Sequence, residues 1–381
     1  MNLRSGFAIV SAPTGRRHRE GTRTQVGRMP AQLSGIAFLY VLLSGCSLHA
    51  ITGDMMVEYT TDHMVPHLMA YGDPTTACEA GMALGPFLAG YGRVTDEPHS
   101  AVVPTVLSAG LCDEQAAWEE GLRSARAIRS GNAAEAKDAR VAEKRFRAGA
   151  AMRFYEAYLR TEKMFGVLGE SCPTFDSGHE ELVYLLGMMG AVQGVANDRA
   201  AEGQAGIPLD VPRKAERGLK CLNNERWWHV PSALRAAIWT IVPGAAPDGV
   251  DPWSIIVESA QKGGEQGIRL AYAIYVQALA GSGKTDLLRK AIAAQAASMA
   301  KVPSNPKWKT LDALAYRQSR AVSDKLWTQA VGHRTPFGGF GELPGSEPEE
   351  ETEDDDDLLD DEDVGATTPQ DNAAIAQRPS L

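Results

Sequence analysis

Between Ala133 and Phe165, residues Ala139, Ala142, Phe146, Ala150, Phe154 and Ala157 recur at intervals of three or four. Only an α-helix gathers such positions onto one face, so a long helix is dictated here. Glu143 with Arg147, and Glu156 with Arg160, are spaced four apart and belong to its wet side. Similar patterns, on faces rich in Ala and Gly, mark helices over 76–91, 113–129, 179–201, 212–223, 231–242, 252–262, 267–280, 286–301 and 306–330. Asp73-Pro74 and Asp251-Pro252 each offer a capping Asp followed by a Pro suited to a first helical turn. No series of alternating strand segments is legible. The expected fold is all-α, a stacked array of helical hairpins resembling an α-solenoid over 73–330. It carries no legible tetratricopeptide consensus.

Upstream, 33–43 reads LSGIAFLYVLL. This run is too short for a stable bilayer-spanning helix and suits the core of a signal peptide. Arg23 and Arg28 precede it, and Leu43-Ser44-Gly45-Cys46 follows. That ending resembles the lipobox of bacterial lipoproteins, whose cysteine is lipidated and becomes the new N-terminus. The expectation is a leader over 1–45, lipidation at Cys46 and a lipidated linker over 46–72. The leader is long, as it would be if initiation lies nearer Met29. Arg16-Arg17 lacks the apolar context of a twin-arginine signal, since His18-Arg19-Glu20 follows it. Ser47, rather than Asp, follows the lipid cysteine, which favours the outer membrane by resemblance to Gram-negative sorting rules. The expected location is the periplasmic side of the envelope, attached to the membrane through the lipid.

The net charge of −10 is unevenly spread. Thirteen acidic residues and no basic one lie between Glu347 and Asp363. The leader is basic, and the intervening body is near neutral, which gives no case for nucleic acid. Beyond Ala330 the composition turns loop-like and then acidic, so 331–381 is expected to be a disordered tail. Setting Cys46 aside leaves Cys78, Cys112, Cys172 and Cys221. An even number in an oxidising compartment points to two disulfides, with three pairings open. Cys78–Cys112 and Cys172–Cys221 are favoured, since each closes a loop between neighbouring helix pairs; four buried thiols are the alternative. None has C-x-x-C spacing, so no structural metal is expected.

Several motifs are incomplete. Gly281-Ser282-Gly283-Lys284-Thr285 contains GKT, but Ala278 stands where a phosphate loop needs Gly, and a helix rather than a strand precedes it; an inter-helix turn is the better reading. His63 and His67 have the spacing of a zinc helix, but Met64 stands at the position of the catalytic Glu and Pro66 should break the helix. No G-x-S-x-G elbow is present. No catalytic residues, no cofactor and no enzyme activity are expected. The densest aromatic cluster is Arg226-Trp227-Trp228-His229, with Trp239 close behind. Tyr184 and Met188 stand at helical spacing on a helix expected nearby. These five aromatic and sulfur side chains are candidates for the wall of an apolar ligand channel, with core packing as the alternative.

Taken together, Cys46, Asp73-Pro74 ahead of 79–92, the Ala-rich helix over 144–158, the segment Glu181 to Gly187 and the later helix pairs resemble the T component family of tripartite ATP-independent periplasmic (TRAP) transporters. The resemblance covers about 73–330. It implies a lipoprotein with a helical-repeat body that associates with a periplasmic solute-binding protein, trimerises, and carries a hydrophobic channel for a hydrophobic or organic-acid ligand. The paired cysteines and the acidic tail depart from that family's pattern. The competing readings are an envelope scaffold or lipid-trafficking lipoprotein without a transporter link, and a hydrolase. A hydrolase would need a convergent nucleophile or carboxylate constellation, which the sequence does not show.

Overall fold

The computed structural model describes residues 48–95, 98–242 and 244–344. Among them the regular elements are all helical, and only an isolated bridge between Phe340 and Glu342 interrupts the pattern. Helix α1 covers 48–59 and continues through a π-turn, Thr60–Met64, into α2, Val65–Tyr71. Then come α3 (Pro74–Gly90), α4 (His99–Arg129), α5 (Ala133–Phe165), α6 (Gly178–Ala200), α7 (Val211–Leu219) and α8 (Val230–Ile241). The series ends with α9 (Pro252–Glu265), α10 (Leu270–Ser282), α11 (Thr285–Lys301) and α12 (Lys309–Val331).

Local chemistry sets the boundaries. Asp73 caps α3 by accepting from Thr75 N at 2.8 Å, and Asp251 caps α9 by accepting from Trp253 N and Ser254 N. Asn132 accepts from Glu135 N to start α5, and Ser177 accepts from Glu180 N to start α6. Each cap satisfies an amide that the helix leaves without a partner. Gly166, with φ +78°, ends α5 in a conformation that a side chain would strain. Gly283, with φ +70°, ends α10, and Lys284 leads into α11; the GKT sequence is therefore an inter-helix turn.

Successive helices from α3 to α11 pack against their neighbours, with α4 and α5 forming the longest seam. At the α5–α6 seam the backbones approach closely. A Cβ on Gly190 would stand 2.7 Å from Phe154 O, so the helices could not meet there with a larger residue. Two disulfides tie the array as expected from the sequence. Cys78–Cys112 links α3 to α4, and Cys172–Cys221 links the loop after α5 to the turn after α7.

The array closes. Helix α12 packs on α10 and then returns to α2, α3 and α4. Thr310 donates to Leu68 O and accepts from Gly72 N at 2.9 Å, joining α12 to the end of α2. Arg317 donates to Gln115 Oε1 at 2.6 Å, Arg129 donates to Ala330 O at 2.8 Å, and Arg334 pairs with Glu119. The main core runs from Val65 and Met69 through α4, α5, α6 and α8 to Leu311 and Leu314 on α12.

Two boundaries read from the sequence move. The expected linker over 46–72 is helical from 48 to 71. Pro66 does not break it: the π-turn Thr60–Met64 directly precedes the proline, and the helical run continues through it. Within the expected tail over 331–381, residues 332–344 are docked on the body. Thr335 N donates to Asp324 Oδ1 and its hydroxyl to Ser323 Oγ, Trp327 Nε1 donates to Glu342 O, and Arg289 donates to Pro344 O. Phe340 packs edge-on against Tyr316, and Leu343 is buried beside α9–α11. The acidic run, the signal-like segment and Cys46 lie outside the described residues.

Candidate functional site

A turn of unusual backbone builds one wall of a cleft. After α7 the chain passes through 220–229 and enters α8 with Trp228 at φ +52° and His229 at φ +60°. Left-handed backbone is disfavoured for side chains of this bulk, so the surroundings must hold it. Asn224 does so. Its Oδ1 accepts from Ser232 N at 3.1 Å, which leaves its NH2 to donate to His229 Nδ1 at 2.8 Å. That contact makes Nδ1 an acceptor and the imidazole neutral, and burial likewise holds the His229 pKa below its ordinary value. Asn223 Oδ1 accepts from Arg226 N, and its carbonyl accepts from Trp227 N. On α9, Gly263 faces the strained peptide; a Cβ there would stand 2.7 Å from Trp228 O.

The turn presents Trp227 and Trp228, both buried, to Trp308 at the start of α12. The three rings pack edge to face, with centroids 5.5 Å apart for Trp227–Trp228, 5.1 Å for Trp228–Trp308 and 6.3 Å for Trp227–Trp308. These spacings are favourable for aromatic quadrupoles. The Arg226 guanidinium lies 5.3 Å from the Trp227 ring centroid and pairs with Glu181 at 2.6 Å. Trp227 Nε1 is buried and has no hydrogen-bond partner among the described residues.

These rings form one wall of a cleft of about 740 Å³. The facing wall is the π-turn and α2, with Asp62, Val65 and Met69; Leu182 and His179 from α6 complete it. A π-turn widens a helix by one residue, and such turns are frequent at functional sites. His179 Nε2 donates to Ser100 O at 3.2 Å, and burial holds its pKa below the ordinary value despite that bond. Lys307, at the rim, makes no ion pair with another described residue. The lining is mostly apolar, with Asp62, Lys307 and the Glu181-paired Arg226 as its charged members, in the manner of sites that take a small molecule or a side chain from a partner.

The five aromatic and sulfur side chains singled out in the sequence separate. Trp227 and Trp228 line the cleft. Tyr184 and Met188 do not; both are fully buried in the core. Tyr184 packs against Phe165 and Phe175 at centroid distances of 5.4 and 5.3 Å, its hydroxyl has no partner among the described residues, and burial pushes its pKa up to about 12. The face of α6 that reaches the cleft is one turn earlier, at His179 and Leu182. Trp239 belongs to a separate cluster built from α8 to α12, with the Arg235 guanidinium 5.1 Å from its ring centroid. Trp308 completes the aromatic wall from eighty residues away, and no local sequence signal marks it. Among the described residues no group of three or more His, Cys, Asp or Glu could hold a metal ion, and His63 and His67 form no such group. No described helix is long and apolar enough to cross a membrane. Comparisons with protein-family models, curated proteins and solved structures give no match.

Proposed function

We propose that the chain is a lipid-anchored, non-enzymatic binding subunit of the bacterial envelope. On this reading Cys46 carries the anchor, the body faces the periplasm, and the cleft at Trp227, Trp228 and Trp308 takes an apolar molecule bearing an acidic group. The resemblance to T components makes a periplasmic solute-binding protein the expected partner, with a trimer as the expected assembly. The observation that carries the binding role is the cleft itself. An aromatic wall carried in part on strained backbone, with Lys307 at its rim, suits an organic acid with an apolar body. The two disulfides support an oxidising compartment.

The test is native mass spectrometry of protein purified from membranes, followed by tryptophan-fluorescence titration with a series of carboxylates of rising chain length. The expected results are a co-purifying small molecule and saturable quenching that sharpens with chain length. Protein that is always ligand-free, and fluorescence indifferent to every carboxylate, would sink the binding reading. Lipid on Cys46 is read separately from the mass of the N-terminal peptide, and Cys46→Ala should leave uncleaved precursor or release the protein from membranes. A solute-binding protein that co-purifies from a detergent extract supports the transporter link; its absence from every extract removes it.

A further inference from the structure

Helix α1 leaves one face bare. Leu48, Ile51, Met55 and Tyr59 are 65%, 53%, 63% and 54% exposed. At 100° per residue they fall within about 80° of arc, and over about 16 Å of helix length. The opposite face is the packed one. Gly53 sits against Val94 and Thr95, Val57 packs with the cluster of Leu88, Val102 and Val106, and Thr60 is buried in the π-turn. Asp54 on the flank accepts a hydrogen bond from Thr95. The orientation of α1 is therefore fixed by the body, and its apolar stripe faces outward.

We infer that this stripe lies on the bilayer that holds the Cys46 anchor, so that α1 is an interfacial helix and the body docks on the membrane in one orientation. The inference rests on the anchor proposed above. Leu48 is the second residue after Cys46, and two residues span at most about 7 Å. An acylated Cys46 thus holds the first turn of α1 at the headgroups, where the stripe meets apolar surface with no further chain to order. Tyr59, at the far end, has the amphipathic ring that interfaces favour. No Lys or Arg occurs between 48 and 64, while Asp54, Glu58 and Asp62 do. Adsorption is therefore driven by apolar burial and should not strengthen with anionic lipid or weaken with salt, unlike that of basic amphipathic helices.

Full-length lipidated protein is reconstituted into vesicles of phosphatidylethanolamine and phosphatidylglycerol containing a lipid with a photoactivatable acyl chain. The expected adducts fall on the peptide covering 47–59 and not on the exposed Met152 of α5. Ile51→Asp with Met55→Asp should lower them at least tenfold at an unchanged melting midpoint; if that pair does not fold, Ile51→Ser with Met55→Ser replaces it. Lipid on Cys46 without adducts on 47–59, or crosslinks from this peptide to a second copy or another protein, would overturn the inference and leave the anchor intact. If Cys46 carries no lipid, the anchor reading falls and vesicle flotation of chain 47–381 decides alone. Flotation abolished by the two aspartates, and equal with and without phosphatidylglycerol, supports the stripe; no flotation refutes it.

Discussion

Trp228 has two roles that a truncation separates from those of its neighbour. It is almost fully buried and held at positive φ, whereas Trp308 is only partly buried. Trp228→Ala should cost about 3–5 kcal/mol, the usual result for a deleted buried aromatic. Trp308→Ala should cost clearly less in a urea titration yet weaken carboxylate binding at least tenfold. Equal destabilisation by both, with binding unchanged, would reduce the aromatic wall to core. A second residue-scale test concerns Arg269, 1% exposed on its own, which donates to Asp312 Oδ2 at 2.7 Å, to Ser298 O and to Val302 O. It binds the start of α10 to α11 and α12 in one network. Asp312→Leu alone strands a buried cation and should cost about 3–5 kcal/mol; Arg269→Met with Asp312→Leu should recover part of that loss. A double variant no more stable than the single would mean the remaining bonds of Arg269 matter more than the pair. At this scale the sequence announced Trp227 and Trp228 through their density. It misplaced Tyr184 and Met188, because helical spacing marks an inward face without saying whether core or cleft lies there.

The element most at odds with its sequence is the segment 332–344. Its Gly- and Pro-rich composition reads as loop, and it is loop, but it is fastened across α11 and α12 by Thr335, Phe340 and Leu343. Truncation after Gly345 should leave the melting midpoint nearly unchanged. Truncation after Gly332 should lower it by several degrees, since burial of Leu343 alone is worth about 1.5–3 kcal/mol. Equal midpoints for both truncations would show that the strap contributes nothing. The disulfides close loops of 34 and 49 residues, and chain entropy assigns each roughly 4 kcal/mol. Replacing Cys78 and Cys112 together by Ser should therefore lower stability in chemical denaturation by up to that amount; no loss would place the bridge's benefit elsewhere. Helix α5 was legible to the residue, from Ala133 to Phe165, because period and cap agree. The first half of α4 was hidden by Pro104, which the structure carries inside the helix. Pro66 concealed α1 and α2 in the same way.

For the molecule as a whole, three buried or half-buried histidines contribute to the response to acid. Burial lowers the pKa of His99, His179 and His229 from the ordinary 6.5. The unfolded chain then binds protons that the folded chain refuses, so their contribution is complete above about pH 6.5 and is lost as pH falls below it. Unfolding midpoints in urea should drop between pH 6.5 and 5, and His179→Gln with His229→Gln should flatten that slope. A midpoint that rises on acidification would contradict the assignment of neutral imidazoles. An array of helical hairpins was legible from periodicity; its closure was not, because Thr310 meets Leu68 across 242 residues and no short-range pattern encodes such a meeting. That closure has a temporal consequence. Synthesis proceeds from the N-terminus at about 5–20 residues per second, so α2 waits roughly 12–48 s for the helix that covers it. During that interval Val65, Met69 and Leu107 have no α12 beside them, and a nascent chain arrested before Lys309 should be captured by holding chaperones that release the finished one.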